Sequence, residues 1–473
     1  MVNKEKHEYT GASYKSTLKA LKLLEKNIKN KISIDFFNIF QISRANFSMY
    51  YLRKYLTNNT YLKKNNFKVI KQILKFFLAS ILNLFNKKKN KSYDYVFYIS
   101  EHKFLFSIKT ILKELSKKNK ILILSEIKFG NLKIKNVDNE VISNYLNFFD
   151  FIKTLIKVLI FNFELKGLNA KHIKLFKIWA KDNLIKFCFS KKIVDKIFRE
   201  IDFKKIIILD PQDAISQSIS FKQDIKKVIF FQFGLVAKED IEFCFEKTKY
   251  MFVFDKYSKN IIINHSKNSF TKRKYYISGM YKFLNNNFKL GYKKSRIIFF
   301  NIVPKIEKIQ EVESFFGIDE VKEIISNLDL LGREIKKNIY LKIHPQDKFN
   351  YKNFLIEKKL SKIKLIKKNI NSLNLLNKFD IVITTHSTTG LEALYKNKWL
   401  FILENKKKNN YFFKSNKVGI IVETSTEFIR NIKKIKNKVF RKKFSIARDK
   451  YFKNNNLKNI NYTKYSCNLL TKI

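Results

Sequence analysis

The sequence predicts an α/β protein made of two doubly wound Rossmann-like domains, preceded by a helical extension. Three observations predict it. Short continuous apolar runs recur at the spacing of a βαβ unit, helix-patterned stretches separate them, and all 3 prolines (Pro211, Pro304 and Pro345) fall just past the end of such a run. Runs that are apolar throughout mark parallel strands covered by helices on both faces. A proline past a strand end fixes the turn by which the chain leaves the sheet. In open α/β sheets, ligands bind outside those carboxyl ends.

Residues 1–90 read as a mostly helical extension with little strand pattern. Within it, Val69 to Phe85 is apolar but interrupted by Lys71, Gln72 and Lys75, and Asn86-Lys87-Lys88-Lys89-Asn90-Lys91 follows directly. Such a helix either packs on the core with a solvated basic end or lies on an anionic membrane face. Residues 91–285 form the first, acceptor-side domain. Its strands are Tyr95–Ile99, Ile121–Leu124, the run Lys205–Leu209 stopped at Pro211, Val228–Gln232 and Tyr250–Phe254, with helices dominating from about 145 to 200. The Asn-rich segment Tyr281–Lys294 marks the boundary. The second domain, 292–425, carries strands at Arg296–Phe300, Ile339–Ile343, Ile363–Ile366, Asp380–Thr384 and Trp399–Leu403, with helical stretches at Glu307–Lys336 and Thr388–Lys396. Residues 426–473 read as charged C-terminal helices. Trp179 and Trp399 read as core residues, and His7, His172 and His265 as surface groups.

Composition limits the function. A chain of 473 residues with 45% hydrophobic and 15% aromatic residues can bury more than one core, which excludes disorder. The net charge of +57 invites nucleic-acid binding. However, the lysines are scattered among Asn, Ile and Phe along the whole chain, as a bias toward A/T-rich codons would leave them. Anionic lipid and phosphorylated substrates are therefore the expected partners of this charge, and nucleic acid is not. Cys188, Cys244 and Cys467 lie far apart without CxxC spacing, which argues against a disulfide framework or a zinc site. Met1 to Ala20 lacks an apolar core of the secretory type, and no run reaches the roughly 18 apolar residues of a membrane span. A cytoplasmic location is expected, with peripheral contact at the inner face of the plasma membrane as an option.

Two strand-end turns carry the chemistry. In Leu341-Lys342-Ile343-His344-Pro345 a strand delivers a histidine into a loop, and the proline keeps His344 out of helical geometry. An imidazole there can donate to a phosphate oxygen or stabilise a departing nucleoside phosphate; by itself the pair is equally an ordinary turn. The second is Asp380-Ile381-Val382-Ile383-Thr384-Thr385-His386-Ser387-Thr388-Thr389-Gly390-Leu391-Glu392, where a strand ends in a hydroxyl-rich turn and a helix begins. Free N–H groups at a helix start make an anion site. Thr389 and Glu392 also have the spacing of a capping box, which uses the same helix end. Set on neighbouring strand ends of one parallel sheet, the two turns face one crevice and support each other.

These motifs resemble the C-terminal nucleotide-binding domain of GT-B transferases. Within that fold they are most similar to the capsule-type branch, which includes Kdo-type capsule transferases, bacterial polysialyltransferases and CDP-glycerol glycerophosphotransferases. The resemblance implies that His344, Ser387 and Thr388 hold the donor phosphate, with Pro345, Thr385, Thr389 and Gly390 completing the candidate nucleotide site and Lys342 an additional candidate. It further implies that Glu392 holds the donor ribose hydroxyls. Upstream, Phe231-Gln232-Phe233-Gly234, then Phe254-Asp255-Lys256-Tyr257-Ser258-Lys259, then Ile277-Ser278-Gly279 is similar to the run that ends the N-terminal domain of related transferases. Gln232, Gly234, Ser278 and Gly279 thus join the candidate site, although Phe233 stands where those sequences carry histidine. The resemblance covers roughly residues 205–425.

An inverting transferase needs a group that takes the proton of the acceptor hydroxyl. Glu101 and His102, just past the strand Tyr95–Ile99, are the first candidates, and Asp210 and Asp213 around Pro211 the second. No cofactor is expected, and no metal, since no DxD-like pair sits in a strand-end loop. The implied activity is metal-independent inverting transfer from a nucleotide-activated sugar, with a CMP-nonulosonate or Kdo donor favoured and UDP-sugar open. The acceptor would be a bacterial surface glycan or lipid-linked glycan. The competing readings are a CDP-glycerol-type polyol-phosphate transferase, a UDP-HexNAc 2-epimerase and a non-catalytic basic membrane-associated scaffold.

Overall fold

The structure, a computed structural model, describes residues 21, 42–47, 66–83, 91–127, 129, 132–160, 170–222, 227–236, 247–266, 273–283, 296–301, 317–345, 347–385, 387–404, 411–458 and 460–473. Most of the expected helical extension, the lysines at 87–89, most of the Asn-rich boundary segment, Pro304, Cys244, His7 and His386 lie outside the described residues, as do the side chains of His172 and His265.

The strands are β1 (Lys91–Ile99), β2 (Ile121–Ser125), β3 (Val137–Val141), β4 (Ile201–Ile208), β5 (Val228–Phe231), β6 (Tyr250–Val253), β7 (Lys274–Ile277), β8 (Ile297–Phe300), β9 (Ile339–Lys342), β10 (Ile363–Ile366), β11 (Ile381–Thr384), β12 (Trp399–Leu403) and β13 (Ile420–Val422). They form two sheets, ordered β3-β2-β1-β4-β5-β6-β7 and β10-β9-β8-β11-β12-β13. Every pairing is parallel. The chain is therefore an α/β protein of two doubly wound Rossmann-like units, as the sequence predicts. In both sheets the order turns back beside the first strand, between β1 and β4 and between β8 and β11. Those points are where doubly wound sheets open a ligand crevice.

The continuous apolar runs form the sheet interiors. All residues of β2, β5, β6, β8 and β11 are buried, because helices cover both faces. Along β1, Tyr95, Phe97 and Ile99 enter one core cluster while Val96 and Tyr98 enter the other, following the two-residue alternation of a strand. The first of these clusters continues into the second sheet and the C-terminal helices, so one apolar core joins the two units.

Some boundaries differ from the sequence reading. The apolar helix of the extension runs Asn66–Leu82, earlier than Val69–Phe85, and Lys91 already opens β1. The long helix expected at Glu307–Lys336 is described as Ile318–Glu334. β3, β7 and β13 have no counterpart in the sequence reading; each is an edge strand with half-buried residues, so no apolar run announces it. Trp179 and Trp399 are core residues, as expected.

The C-terminal helices Lys438–Asn454 and Tyr462–Lys472 tie the units together. Phe440 and Phe444 pack on Trp399 of β12. Farther along, Tyr451 donates to the buried Asp255 carboxylate (2.8 Å), and Asn455 accepts from the Lys256 N–H (2.7 Å) in the first unit.

Candidate functional site

β9 ends at Lys342, and the His344-Pro345 turn follows. Asp347 closes it: its N–H donates to the His344 carbonyl (3.0 Å), and one carboxylate oxygen accepts from the Phe349 N–H (2.9 Å). The other oxygen accepts from Tyr351 (2.6 Å) and from Asn301 Nδ2 (3.3 Å), just past the end of β8. Lys342 is buried and donates to the carbonyls of Ile343 (2.9 Å) and Lys368 (2.8 Å), so its ammonium braces the turn from below. Burial pushes the His344 imidazole down to about 4, and the positive charges of Lys342 and Lys103 push the same way. The ring is therefore neutral near pH 7, with one nitrogen donating and the other accepting.

The second turn leaves β11, whose last residue, Thr384, donates to the Phe300 carbonyl of β8 (3.3 Å). His344 and Ser387 thus do not sit on neighbouring strands. They flank β8, one on each side, with Asn301 at its tip. This places both turns around the switch point of the second sheet. The helix that follows is Thr388–Tyr395, capped by Ser387, whose hydroxyl accepts from the Thr389 N–H (3.2 Å). The expected Thr389–Glu392 capping box does not form: the helix starts earlier, and the Glu392 carboxylate points elsewhere. The buried Thr385 hydroxyl has no hydrogen-bond partner among the described residues. Gly390 is required by packing, since a Cβ there would lie 2.8 Å from the Phe413 ring.

Glu392 is paired with Lys282, and both side chains are nearly buried (7% and 10% exposed). Its second oxygen accepts from Ser372 (3.3 Å). Lys282 closes the Ser278-Gly279 run of the first unit, so this pair joins the two halves. The rest of the run holds its own turn and meets the other half at Gly279 and Met280. Ser278 donates to the carbonyls of Val253 and Gly279, and the Met280 N–H donates to Tyr395 (3.1 Å). Gly279 has φ of +66°, and a Cβ there would meet Tyr462 at 2.7 Å. Gln232, wholly buried, accepts from the Phe254 N–H (2.8 Å) and donates to Ser258 (3.1 Å) and to the Gly234 carbonyl (2.7 Å). It thereby shapes the loop in which the Leu235 N–H donates to Thr388 Oγ1 (3.2 Å) across the cleft. Phe233 packs edge-on against Phe104 (4.3 Å between centroids).

On the opposite wall, Glu101, His102 and Asp210 all lie at the switch point between β1 and β4. Glu101 is exposed and ion-paired with Lys103 (3.0 Å), and His102, also exposed, meets Phe129 edge-on. Asp210 is more enclosed, accepting from Ser100 (3.1 Å) and from the Gln212 N–H (3.0 Å). Burial raises its carboxyl to about 6, with the nearby Asp213 charge adding to the effect. Asp213 caps the helix Ala214–Ser220 and pairs with Lys186 (3.3 Å). Lys103 acts on both walls, since its positive charge lowers the pKa of Asp210 and of His344 alike.

The sequence reading missed Ser100, Lys103, Lys282, Asn301, Asp347 and Tyr351. Ser100 and Lys103 adjoin Glu101 and His102, and Asp347 lies two residues past Pro345, so for these three adjacency to a strand-end motif was the available signal. Asn301 had none beyond its place after a buried strand.

A family model described as "Capsule polysaccharide biosynthesis protein" matches residues 222–405. That span holds the Gln232–Gly279 run and both strand-end turns of the second sheet, and it begins after Glu101, His102 and Asp210. The capsule-type resemblance read from the sequence is borne out there. A search of curated proteins finds no match. Among solved structures, the chain is similar to a UDP-GlcNAc 2-epimerase from Methanocaldococcus jannaschii, at 15% identity and TM-score 0.48, covering 81% of this chain and 100% of that one. It is similar to the wall teichoic acid polymerase TagF soaked with CDPG, at 12% identity and TM-score 0.49, covering 87% and 97%. A third is UGT2 from Phytolacca americana in complex with UDP-2fluoro-glucose and pterostilbene, at 11% identity and TM-score 0.45, covering 80% and 99%.

Proposed function

We propose that this chain is an inverting GT-B glycosyltransferase that moves a sugar from a nucleotide-activated donor to a bacterial surface glycan, without a metal. The observation that carries the reading is the convergence of His344 and the Ser387 helix start on either side of β8, opposite Asp210 on the other sheet's switch point. The match to the capsule family model, which spans His344 and the Ser387 helix start but begins after Asp210, supports the donor half of it.

In this reading the donor phosphate lies against the start of the helix Thr388–Tyr395, within reach of Ser387, Thr388 and Thr385. The helix dipole and the lysines around the cleft offset its charge. His344, neutral at physiological pH, donates its N–H to a phosphate oxygen. Asp210 is the base, because a carboxyl held near 6 is ionised at neutral pH yet basic enough to accept a proton. The acceptor hydroxyl loses its proton to Asp210 as its oxygen bonds to the anomeric carbon. The bond to the leaving phosphate oxygen breaks with its electron pair, and His344 and the helix start stabilise the charge that develops. Glu101 and His102, both exposed at the rim, are assigned to acceptor contact. Glu392 is assigned to holding the two halves together through Lys282, in addition to any contact with a ribose hydroxyl.

A CMP-activated nonulosonate or Kdo donor is the favoured choice. A thermal-shift panel with CMP, CDP, UDP and GDP tests it: CMP should stabilise the protein most, by about 3 kcal/mol at a hundredfold excess over its Kd. His344→Ala and Ser387→Ala should each abolish that shift while the unliganded protein stays folded. Unchanged stabilisation in both variants refutes the donor site. Epimerisation of UDP-HexNAc without an acceptor refutes the transferase reading, and a preference for CDP turns it toward polyol-phosphate transfer.

A further inference from the structure

The helix Asn66–Leu82 is apolar on two faces. One face, with Ile73, Phe76 and Phe77, packs on the core of the first unit. The other carries Ile70, Leu74, Leu78 and Leu82, which are 54%, 53%, 60% and 68% exposed. Large aliphatic side chains repeating every fourth residue form a continuous outward stripe. A helix that served only to cover the core would carry polar residues there. The helix Phe148–Ile160 lies against it, since Phe77 meets Phe148 and Phe151. It repeats the pattern, with Phe149 and Ile156 78% and 49% exposed. Contiguous exposed apolar surface of this kind marks an interaction site.

The charges between these apolar groups identify the partner. Lys71 and Lys75 share the outward face of the first helix, and Lys153 and Lys157 that of the second. The first helix has no acidic residue, and Asp150 of the second is drawn to Lys192 (4.0 Å). Lys75 also reaches Glu126, at 3.9 Å and largely in solvent, a contact of little strength. Protein interfaces are depleted in lysine at their cores. Interleaved lysines and leucines instead suit a lipid headgroup layer, where the aliphatic groups enter the acyl boundary and the ammonium groups stay with the phosphates. Among the described residues, no helix is long and apolar enough to cross a membrane, so the face would lie on the bilayer.

We propose that the paired outward faces of the helices Asn66–Leu82 and Phe148–Ile160 dock this protein on an anionic lipid bilayer. The outward faces are built from residues outside the strand-end turns, so docking does not depend on which nucleotide, if any, the cleft binds.

Co-sedimentation of the full chain with vesicles tests it, comparing phosphatidylcholine alone with phosphatidylcholine mixed with phosphatidylglycerol. The wild-type protein should bind the mixed vesicles, more weakly as salt is raised, and bind phosphatidylcholine poorly. The triple variant Leu74→Ser, Leu78→Ser, Phe149→Ser should lose about tenfold or more of its binding. Its circular dichroism and its thermal response to CMP should match those of the wild type. Lys71→Gln and Lys153→Gln should each weaken binding about fivefold, which keeps the proposal testable if the triple variant folds poorly. Equal binding to both vesicle types, or to neither, overturns the proposal. So do serine and glutamine variants that bind like the wild type, or a dimer that the triple variant dissociates while vesicle binding persists.

Discussion

Replacing Glu392 with glutamine, with Lys282 left in place, removes the negative half of an ion pair that is 7% and 10% exposed. The ammonium of Lys282 then stays buried between the two units with only a neutral amide beside it. Removing one partner of a buried pair costs about 3–5 kcal/mol. Glutamine keeps the shape and can still accept from Ser372, so the lower end, about 3 kcal/mol, is expected. Lys282→Met should cost a similar amount by stranding the Glu392 carboxylate. The double variant Lys282→Met, Glu392→Leu strands neither charge, so the two losses should fall short of adding by about 2 kcal/mol or more. Urea unfolding followed by tryptophan fluorescence reads this directly, because Trp399 is buried on the strand that follows the Glu392 helix. Single-variant losses under about 1 kcal/mol, the range of a surface pair, would refute the assignment of this pair as the joint between the halves. Strict additivity would refute it equally.

The pH profile tests the base. Asp210 ionises near 6 instead of its ordinary 3.8, so kcat/KM should fall as pH drops through about 6. His344, held near 4, stays neutral over that range and does not produce the limb. Asp213→Asn removes the like charge that helps to raise Asp210, so the limb should move to lower pH, though not to the ordinary carboxylate value because burial is the larger cause. An unmoved limb counts against Asp210. The same raised pKa means that the folded chain holds this proton more tightly than the unfolded chain. Its stabilisation is complete below pH 3.8 and disappears as pH rises through about 6. Gly279→Ala should cost about 2–4 kcal/mol, combining left-handed strain with overpacking, since φ is +66° and the added Cβ would meet Tyr462 at 2.7 Å. A loss below about 1 kcal/mol in denaturant unfolding would show that the joint yields where close packing is expected.

The buried strands were legible because a strand covered on both faces must be apolar throughout. Ile206–Ile208, Val228–Phe231, Ile297–Phe300 and Ile381–Thr384 therefore stand out as runs. β3, Val-Asp-Asn-Glu-Val, was not legible: at a sheet edge its side chains are half in water, and nothing in its composition separates it from a loop. The turns at His344 and Ser387 were legible for a related reason, as each follows a buried run directly. Their mutual position was not. Adjacent strand ends fit the spacing equally well, but the order of the sheet inserts β8 between them. The helix holding Ile70 to Leu82 was legible only as a choice between core packing and a membrane face, and the tertiary structure shows apolar side chains on both sides of it.

The sequence by itself determined two parallel α/β units and the strand-end turns that hold the candidate chemistry. Those features follow from local rules: burial dictates apolar runs, and proline, hydroxyl residues and glycine dictate where the chain turns. Only the tertiary structure decided what each polar group meets. Gln232 and Ser278 are committed to hydrogen bonds within the first unit, Gly279 packs against Tyr462 at the joint between the halves, and the Glu392 carboxylate is held by Lys282 and Ser372. Asp210, in place of the more exposed Glu101, lies in a setting that raises its basicity. The physical reason is that burial and charge pairing depend on residues far apart in the chain. A carboxylate's partner is set by the crossing of the two units, which no local spacing records.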